Sequence, residues 1–188
     1  PADGFQDLRA KLRQQRQGWH KRTTLILYLS MHGAVNENRE ACFVPPAASP
    51  LDSSQWVPVR EALAYLFPEA ERDSLPKNKL LILDCNRMDA NWRMGLLYND
   101  FADRLASAVA EARIPGLVVL TSAGPGQVGW TSPQDLRGSV FGYFVWKGLL
   151  GWADREGNDD GEVSLAELYQ YARRYVRRWV WDYRADVQ

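Results

Sequence analysis

One stretch, Lys79-Leu-Leu-Ile-Leu-Asp-Cys-Asn-Arg87, decides the fold of this chain. An apolar run follows a Pro-Lys-Asn turn and stops at Asp84, which is the pattern of a short buried strand. Such strands belong to parallel sheets that helices cover on both faces. Ligands of these sheets bind beyond the carboxyl ends of the strands. The pattern therefore predicts functional side chains at Asp84, Cys85 and Asn86.

Two further apolar runs predict neighbouring strands of the same sheet. Thr24-Leu-Ile-Leu-Tyr-Leu-Ser30 is followed by Met-His-Gly, and Leu117-Val-Val-Leu-Thr121 is followed by Ser-Ala-Gly-Pro-Gly. A helical pattern over residues 101–112 separates two of the strands, and this alternation indicates a βαβ sheet. Because the carboxyl ends of parallel neighbours meet at one sheet edge, we expect His32 beside the 84–86 turn.

Further helical patterns surround these strands, among them one that begins at Pro58 and ends before Pro68. Residues 4–18 predict an amphipathic helix. Residues 138–153 are apolar nearly all round, which predicts a largely buried helix that includes Leu149 and Leu150. The helix from Ser164 onward carries four arginines on one side, which form either a docking patch for acidic groups or a solvated face near a helix C-terminus. We favour the solvated face because the net charge is zero.

Composition narrows the classes of function. Lys plus Arg and Asp plus Glu number 23 each, so no overall field favours nucleic acid or membrane partners. Cys42 and Cys85 give no disulfide framework. No run approaches the roughly 20 apolar residues of a membrane span, and no signal-peptide pattern opens the sequence. We expect a cytoplasmic protein, and the abrupt start and end predict one domain, residues 1–188, of a longer chain.

Several motifs resemble, in order, those of the caspase-like cysteine peptidases, which include caspases, metacaspases and their bacterial relatives. Tyr28-Leu-Ser-Met-His-Gly33 is similar to the histidine motif of the family, and Leu81-Ile-Leu-Asp-Cys-Asn86 is similar to its nucleophile strand. The resemblance spans residues 20–180. Its later motifs lie at 122–128, 138–141, 147–154 and 160–168.

The resemblance implies a three-layer caspase-like α/β fold, with a mainly parallel central sheet and helices on both faces. Members of the family have a strand, a helix and a second strand before the histidine motif. The residues before Thr24 contain only the pattern of one helix. We therefore expect a caspase-like fold that lacks its first strands.

The resemblance also implies roles for individual residues. His32 would be the general base and acid, and the Gly33 amide would form part of an oxyanion hole. Asp84 matches the residue that lines the pocket for basic side chains in metacaspases, and Gln127 belongs to the same cleft. A carboxylate there makes charge-assisted bonds to Arg or Lys, so the implied partner is a basic peptide or protein. The nucleophile position falls on Asn86.

This nucleophile position departs from the family, because Asn86 has no thiol and Cys85 lies one residue earlier. Side chains alternate along a strand, so a shift of one residue turns Cys85 away from the nucleophile's place. Three functions stay open. The favoured one is a pseudo-peptidase that recognises a partner around Asp84, His32 and Gln127. The alternatives are an active cysteine endopeptidase, in which Cys85 reaches His32 through a shifted turn, and a structural docking domain.

One acidic loop fits the calcium-loop template, with candidate ligands at Glu156, Asn158, Asp160 and Glu167. The same residues also fit a simpler reading, in which Ser164 and Glu167 form the capping box of the last helix. We favour the capping box and expect no metal or other cofactor, with calcium as the alternative.

Overall fold

The computed structural model describes four ranges of the chain: residues 3–20, 22–87, 100–132 and 134–184. The chain divides into two compact units, Pro1–Val128 and Gly129–Gln188. The single caspase-like domain expected over residues 1–188 stays a prediction.

The described residues form both strands and helices. The strands are β1 (Thr24–Val35), β2 (Ala41–Val44), β3 (Val57–Pro58), β4 (Asn78–Arg87), β5 (Leu117–Thr121), β6 (Thr131–Ser132) and β7 (Gly138–Ser139). The helices are α1 (Asp3–Gln15), α2 (Val59–Leu66), α3 (Phe101–Ala112), α4 (Val140–Lys147), α5 (Ala153–Arg155) and α6 (Leu165–Arg184), with a π-helical turn (Gly148–Trp152) before α5.

The first unit is built on a five-stranded sheet with the order β3-β2-β1-β4-β5. β1 pairs with β4 and β4 pairs with β5 in parallel, and these are the longest ladders of the sheet. β2 pairs antiparallel with both β1 and β3. The predicted α/β architecture with parallel central strands is therefore confirmed, whereas the caspase-like topology stays a prediction.

β1 and β4 run further than the sequence pattern predicts. The expected turns at 31–33 and 84–86 are strand, because β1 continues to Val35 and β4 to Arg87. The extension of β1 pairs with β2, from His32 opposite Val44 onward. Added ladder hydrogen bonds compensate for the polar residues that break the apolar pattern.

The main core cluster of the first unit lies on one face of its sheet. Alternate β1 residues point into it, and α1, α2 and α3 cover it. Its members include Leu25, Leu27, Leu29, Leu81, Leu83 and Cys85 from the sheet, and Phe5, Leu12, Leu63, Leu66, Phe101 and Leu105 from the helices. On the other face Ile26, Tyr28 and Val118 are exposed, so the second helical layer of the expected fold stays a prediction.

The second unit packs α4 against α6. Gly148 permits this close approach, because a Cβ atom there would lie 2.7 Å from Leu168 Cδ1. The prediction that residues 138–153 form a largely buried helix is wrong for Leu149 and Leu150, which are exposed. Gly148 meets Leu168 and Tyr171 of α6, whereas Trp146, Leu149 and Leu150 lie at the surface. Among the described residues, we find no helix with the length and apolar character needed to cross a membrane.

Candidate functional site

The parallel ladder between β1 and β4 sets the geometry of the candidate site. It pairs Met31 with Cys85 and His32 with Asn86. The structure therefore brings His32 next to the nucleophile strand, as expected for neighbouring parallel strands. The alternation of side chains along β4 then decides whether Cys85 shares a face of the sheet with His32.

Cys85 and His32 lie on opposite faces of the sheet. Cys85 is only 7% exposed and belongs to the apolar core, where Leu83 also packs. Its register neighbour Met31 packs against the same core. His32 is the next residue along β1 and is exposed, because successive side chains alternate between faces. The position of the thiol therefore agrees with the prediction from the sequence that Cys85 points away from the nucleophile's place.

The environment of Cys85 disfavours the thiolate. Burial, and secondarily the charge of Asp84, raises the pKa of the Cys85 thiol from 9.0 to about 12, and a hydrogen bond with the Met31 backbone opposes this only in part. A cysteine nucleophile acts as the thiolate, and catalytic cysteines have lowered pKa values. The Cys85 thiol thus has the protonation behaviour of a packing residue.

Asp84 lies on the same face as Tyr28. Its side chain is 2% exposed, and its Oδ2 accepts a short hydrogen bond from the Tyr28 hydroxyl. Tyr28 pairs in register with Ile82, so Asp84 is two residues further along the same face of β4. Tyr28 belongs to the histidine motif, but the motif by itself does not predict this contact with Asp84. The shared parity of positions 28 and 84 in paired strands is the signal that could have found it.

Gly33 is held inside the sheet and under an aromatic ring. It pairs with Phe43 of β2 and with Arg87 of β4. A Cβ atom at Gly33 would lie 2.6 Å from the ring of Phe101, so the absence of a side chain allows α3 to approach the sheet. The structure thus gives Gly33 a packing role, and the oxyanion role implied by the resemblance stays a prediction.

Gln127 is grouped with Cys85 rather than with Asp84. Its Oε1 accepts a hydrogen bond from the Gly124 amide at 2.9 Å, which closes the loop after β5. Gln127 also lines a pocket together with Cys85 and Phe101, which belong to the core face. The structure therefore places two of the three predicted cleft residues, His32 and Asp84, on one face of the sheet, and Gln127 at a pocket on the core face.

The first candidate calcium ligand is turned towards α6. Glu156 Oε1 accepts a hydrogen bond from the Tyr175 hydroxyl at 2.6 Å, and Glu156 Oε2 is 3.2 Å from Arg174 Nη1. The backbone amide of Asp160 instead donates a hydrogen bond to Asp154 Oδ1 at 2.9 Å. Within the four described ranges, no group of three His, Cys, Asp or Glu side chains is placed to hold a metal ion.

Glu167 forms the capping box of α6. Its Oε2 accepts from the Ser164 amide at 2.8 Å, and its own amide donates to Ser164 Oγ at 3.2 Å. Glu167 Oε1 also accepts from the Asn158 amide at 3.2 Å. The hydrogen bonds from Ser164, and then that from Asn158, lower the pKa of Glu167. The capping arrangement favoured from the sequence is present, and calcium binding stays an untested alternative.

Neither a protein-family model nor a curated protein sequence matches this chain. The caspase-like assignment therefore depends on the motifs quoted from the sequence, and both family and function are matters for proposal.

Proposed function

We propose that the chain is a caspase-like domain without peptidase activity. It recognises the basic side chains, Arg or Lys, of a peptide or protein partner. The opposite facing of Cys85 and His32 supports this proposal most strongly. We further propose the three-layer caspase-like fold without its first strands, in a cytoplasmic protein that needs no cofactor.

Catalysis by Cys85 would require a change of register in the central ladder. A shift of β4 by one residue would bring Cys85 to the face of His32, but it would also turn Leu81 and Leu83 out of the core. Both leucines are almost fully buried. The ten paired positions of β1 and β4 oppose such a shift, so the endopeptidase alternative is disfavoured.

Recognition of a basic side chain is supported by the face that carries His32. The Asp84 carboxylate accepts a hydrogen bond from the hydroxyl of Tyr28, whose side chain is half-exposed. A guanidinium or ammonium group that reached this carboxylate would form a charge-assisted hydrogen bond. The Tyr28 ring offers an additional cation–π contact to the same group. These two residues would therefore select Arg or Lys over neutral side chains.

Calorimetric titration of the chain with matched peptides tests this function. Peptides that end in Arg or Lys should bind without being cleaved, and a peptide that ends in Gln should bind more weakly. Asp84→Asn should weaken binding of the basic peptides at least about tenfold, since a hydrogen bond to a charged group contributes about 1.5–3 kcal/mol. Cys85→Ser is the matched control and should bind normally.

Two outcomes would contradict the proposal. Turnover of the basic peptides that disappears in Cys85→Ser and His32→Ala would establish the endopeptidase instead. Equal binding of basic and neutral peptides would remove the role of Asp84. Circular dichroism should show that each variant is folded, and a parallel titration with calcium tests the alternative for the acidic loop.

A structural docking role is the second candidate function. The exposed large apolar side chains of the second unit favour it, because soluble domains rarely leave such groups clustered at the surface. Trp130 is not one of these exposed groups, since the Arg184 guanidinium lies over its ring at 5.5 Å.

A further inference from the structure

Four large apolar side chains cluster at the end of α4. Trp146 is 53% exposed, Leu149 38%, Leu150 58% and Trp152 42%. We call these four residues the tryptophan–leucine patch. They lie within seven consecutive positions, so they form a local cluster rather than scattered surface residues. Clusters of this kind mark sites that contact another molecule.

The backbone presents this patch at a break in the helix. The π-helical turn Gly148–Trp152 joins α4 to α5, and Gly151 within it has a φ of +99°. Such a conformation strongly favours glycine. The opposite side of the segment is occupied by α6, where Leu168 and Tyr171 contact Gly148. The patch is therefore held outward by a fixed helix–helix contact.

Two cations accompany the patch, and aromatic rings are their neighbours. Lys147 Nζ lies 5.6 Å from the ring centroid of Trp146 and 5.7 Å from that of Trp152. Arg155 Cζ lies 5.4 Å from the centroid of Trp152. In the part of the chain that the structure describes, neither cation forms an ion pair with a carboxylate. The patch is thus apolar with two cations beside its rings, and the exposed carboxylates of the neighbouring loop begin at Glu156.

We propose that the tryptophan–leucine patch docks the protein on the surface of an anionic lipid membrane. Tryptophan rings favour the headgroup level of a bilayer, and leucine side chains favour the acyl region below it. Lys147 and Arg155 would lie at the level of the lipid headgroups, where an anionic surface attracts them. This contact is peripheral and needs no spanning helix, but it differs from the expectation that membranes are not partners.

Charge and shape disfavour two other occupants of the patch. A two-fold contact between copies would place the patch of one copy on that of the other, and would bring Lys147 and Arg155 close to their own equivalents. The two carboxylates beside Arg155 are already engaged, because Asp154 accepts the Asp160 and Gly161 amides and Glu156 is held by Tyr175 and Arg174. Helical and proline-rich peptide ligands, in contrast, lie in grooves. Trp146 and Leu150 are each more than half exposed, so they project from the surface instead of lining a groove.

Vesicle sedimentation of the whole chain tests this proposal. We expect binding to vesicles of phosphatidylcholine and phosphatidylserine in equal parts, and much weaker binding to phosphatidylcholine alone. Trp146→Ser combined with Leu150→Ser should reduce binding at least about tenfold, from the apolar area that no longer enters the bilayer. Lys147→Glu should reduce it by about fivefold or more, since each basic group near an anionic surface contributes about 1 kcal/mol.

Trp181→Ser is the matched control. Trp181 is 76% exposed on α6 and lies outside the patch, so its replacement should leave vesicle binding unchanged. Binding that is absent with both vesicles, or that Trp181→Ser lowers as much as the patch variants do, would overturn the proposal. Concentration-dependent dimers of the wild type that the patch variants abolish would overturn it in favour of a second copy. Circular dichroism of each variant excludes unfolding as the cause.

Discussion

The contact between Gly33 and Phe101 gives a prediction whose magnitude follows from the structure. A Cβ atom at Gly33 would lie 2.6 Å from two ring carbons of Phe101, and ordinary contact begins at 3.4 Å. In Gly33→Ala the ring must therefore retreat by about 0.8 Å. Phe101 is itself buried in the core, so its neighbours resist this movement. Overpacking of this kind costs about 1–3 kcal/mol of unfolding free energy.

Urea unfolding of the variant measures this cost. Gly18→Ala is the matched control, because a Cβ atom there meets nothing within 4 Å, and it should leave the midpoint nearly unchanged. Phe101→Leu should shrink the penalty of Gly33→Ala, with a coupling energy of about 0.5–3 kcal/mol in the double-mutant cycle. If Gly33→Ala proved as harmless as Gly18→Ala, or if the two substitutions were simply additive, the packing described at the site would be wrong.

Three further predictions concern ionisable groups. In a Cys42→Ser background, alkylation of Cys85 below pH 9 should be about a thousandfold slower than that of a thiol with a pKa of 9.0, because its pKa is raised to about 12; iodoacetamide kinetics measure this rate. The lowered pKa of Glu167 gives stability that is present above its unfolded value of 4.5 and is lost as the pH falls, so Glu167→Gln should flatten the acid limb of thermal unfolding. Glu71→Gln should cost about 2 kcal/mol in urea unfolding, because Glu71 accepts hydrogen bonds from three arginines of the N-terminal segment; an unchanged midpoint would show that these ion pairs contribute nothing.

The strand periodicity predicted the part of the site that matters most. A continuous apolar run and the alternation of side chains sufficed to place Cys85 in the core and away from His32. Those are local properties of the backbone, and tertiary contacts did not override them. The hydrogen bond between Tyr28 and Asp84 also follows from the alternation of side chains, because it puts both residues on one face. It can be predicted only when the register between β1 and β4 is known.

Features that depend on neighbouring elements could not be read from the pattern. The sequence of 138–153 is apolar on nearly every side, yet Leu149 and Leu150 are exposed. The strands also continue through His32 and through Asn86, since β2 pairs with the extension of β1. Gln127 lies at another pocket because its loop closes on Gly124, which the motif order does not indicate.

Covalent labelling with an electrophilic peptide that ends in Arg tests whether Cys85 can act as a nucleophile. Intact-mass spectrometry of the folded chain at neutral pH would count the adducts. We expect no adduct on Cys85, because the thiol is buried and protonated on the face opposite His32. An adduct on Cys85 that forms rapidly and disappears in His32→Ala would contradict it, since it would show a working thiol–imidazole pair.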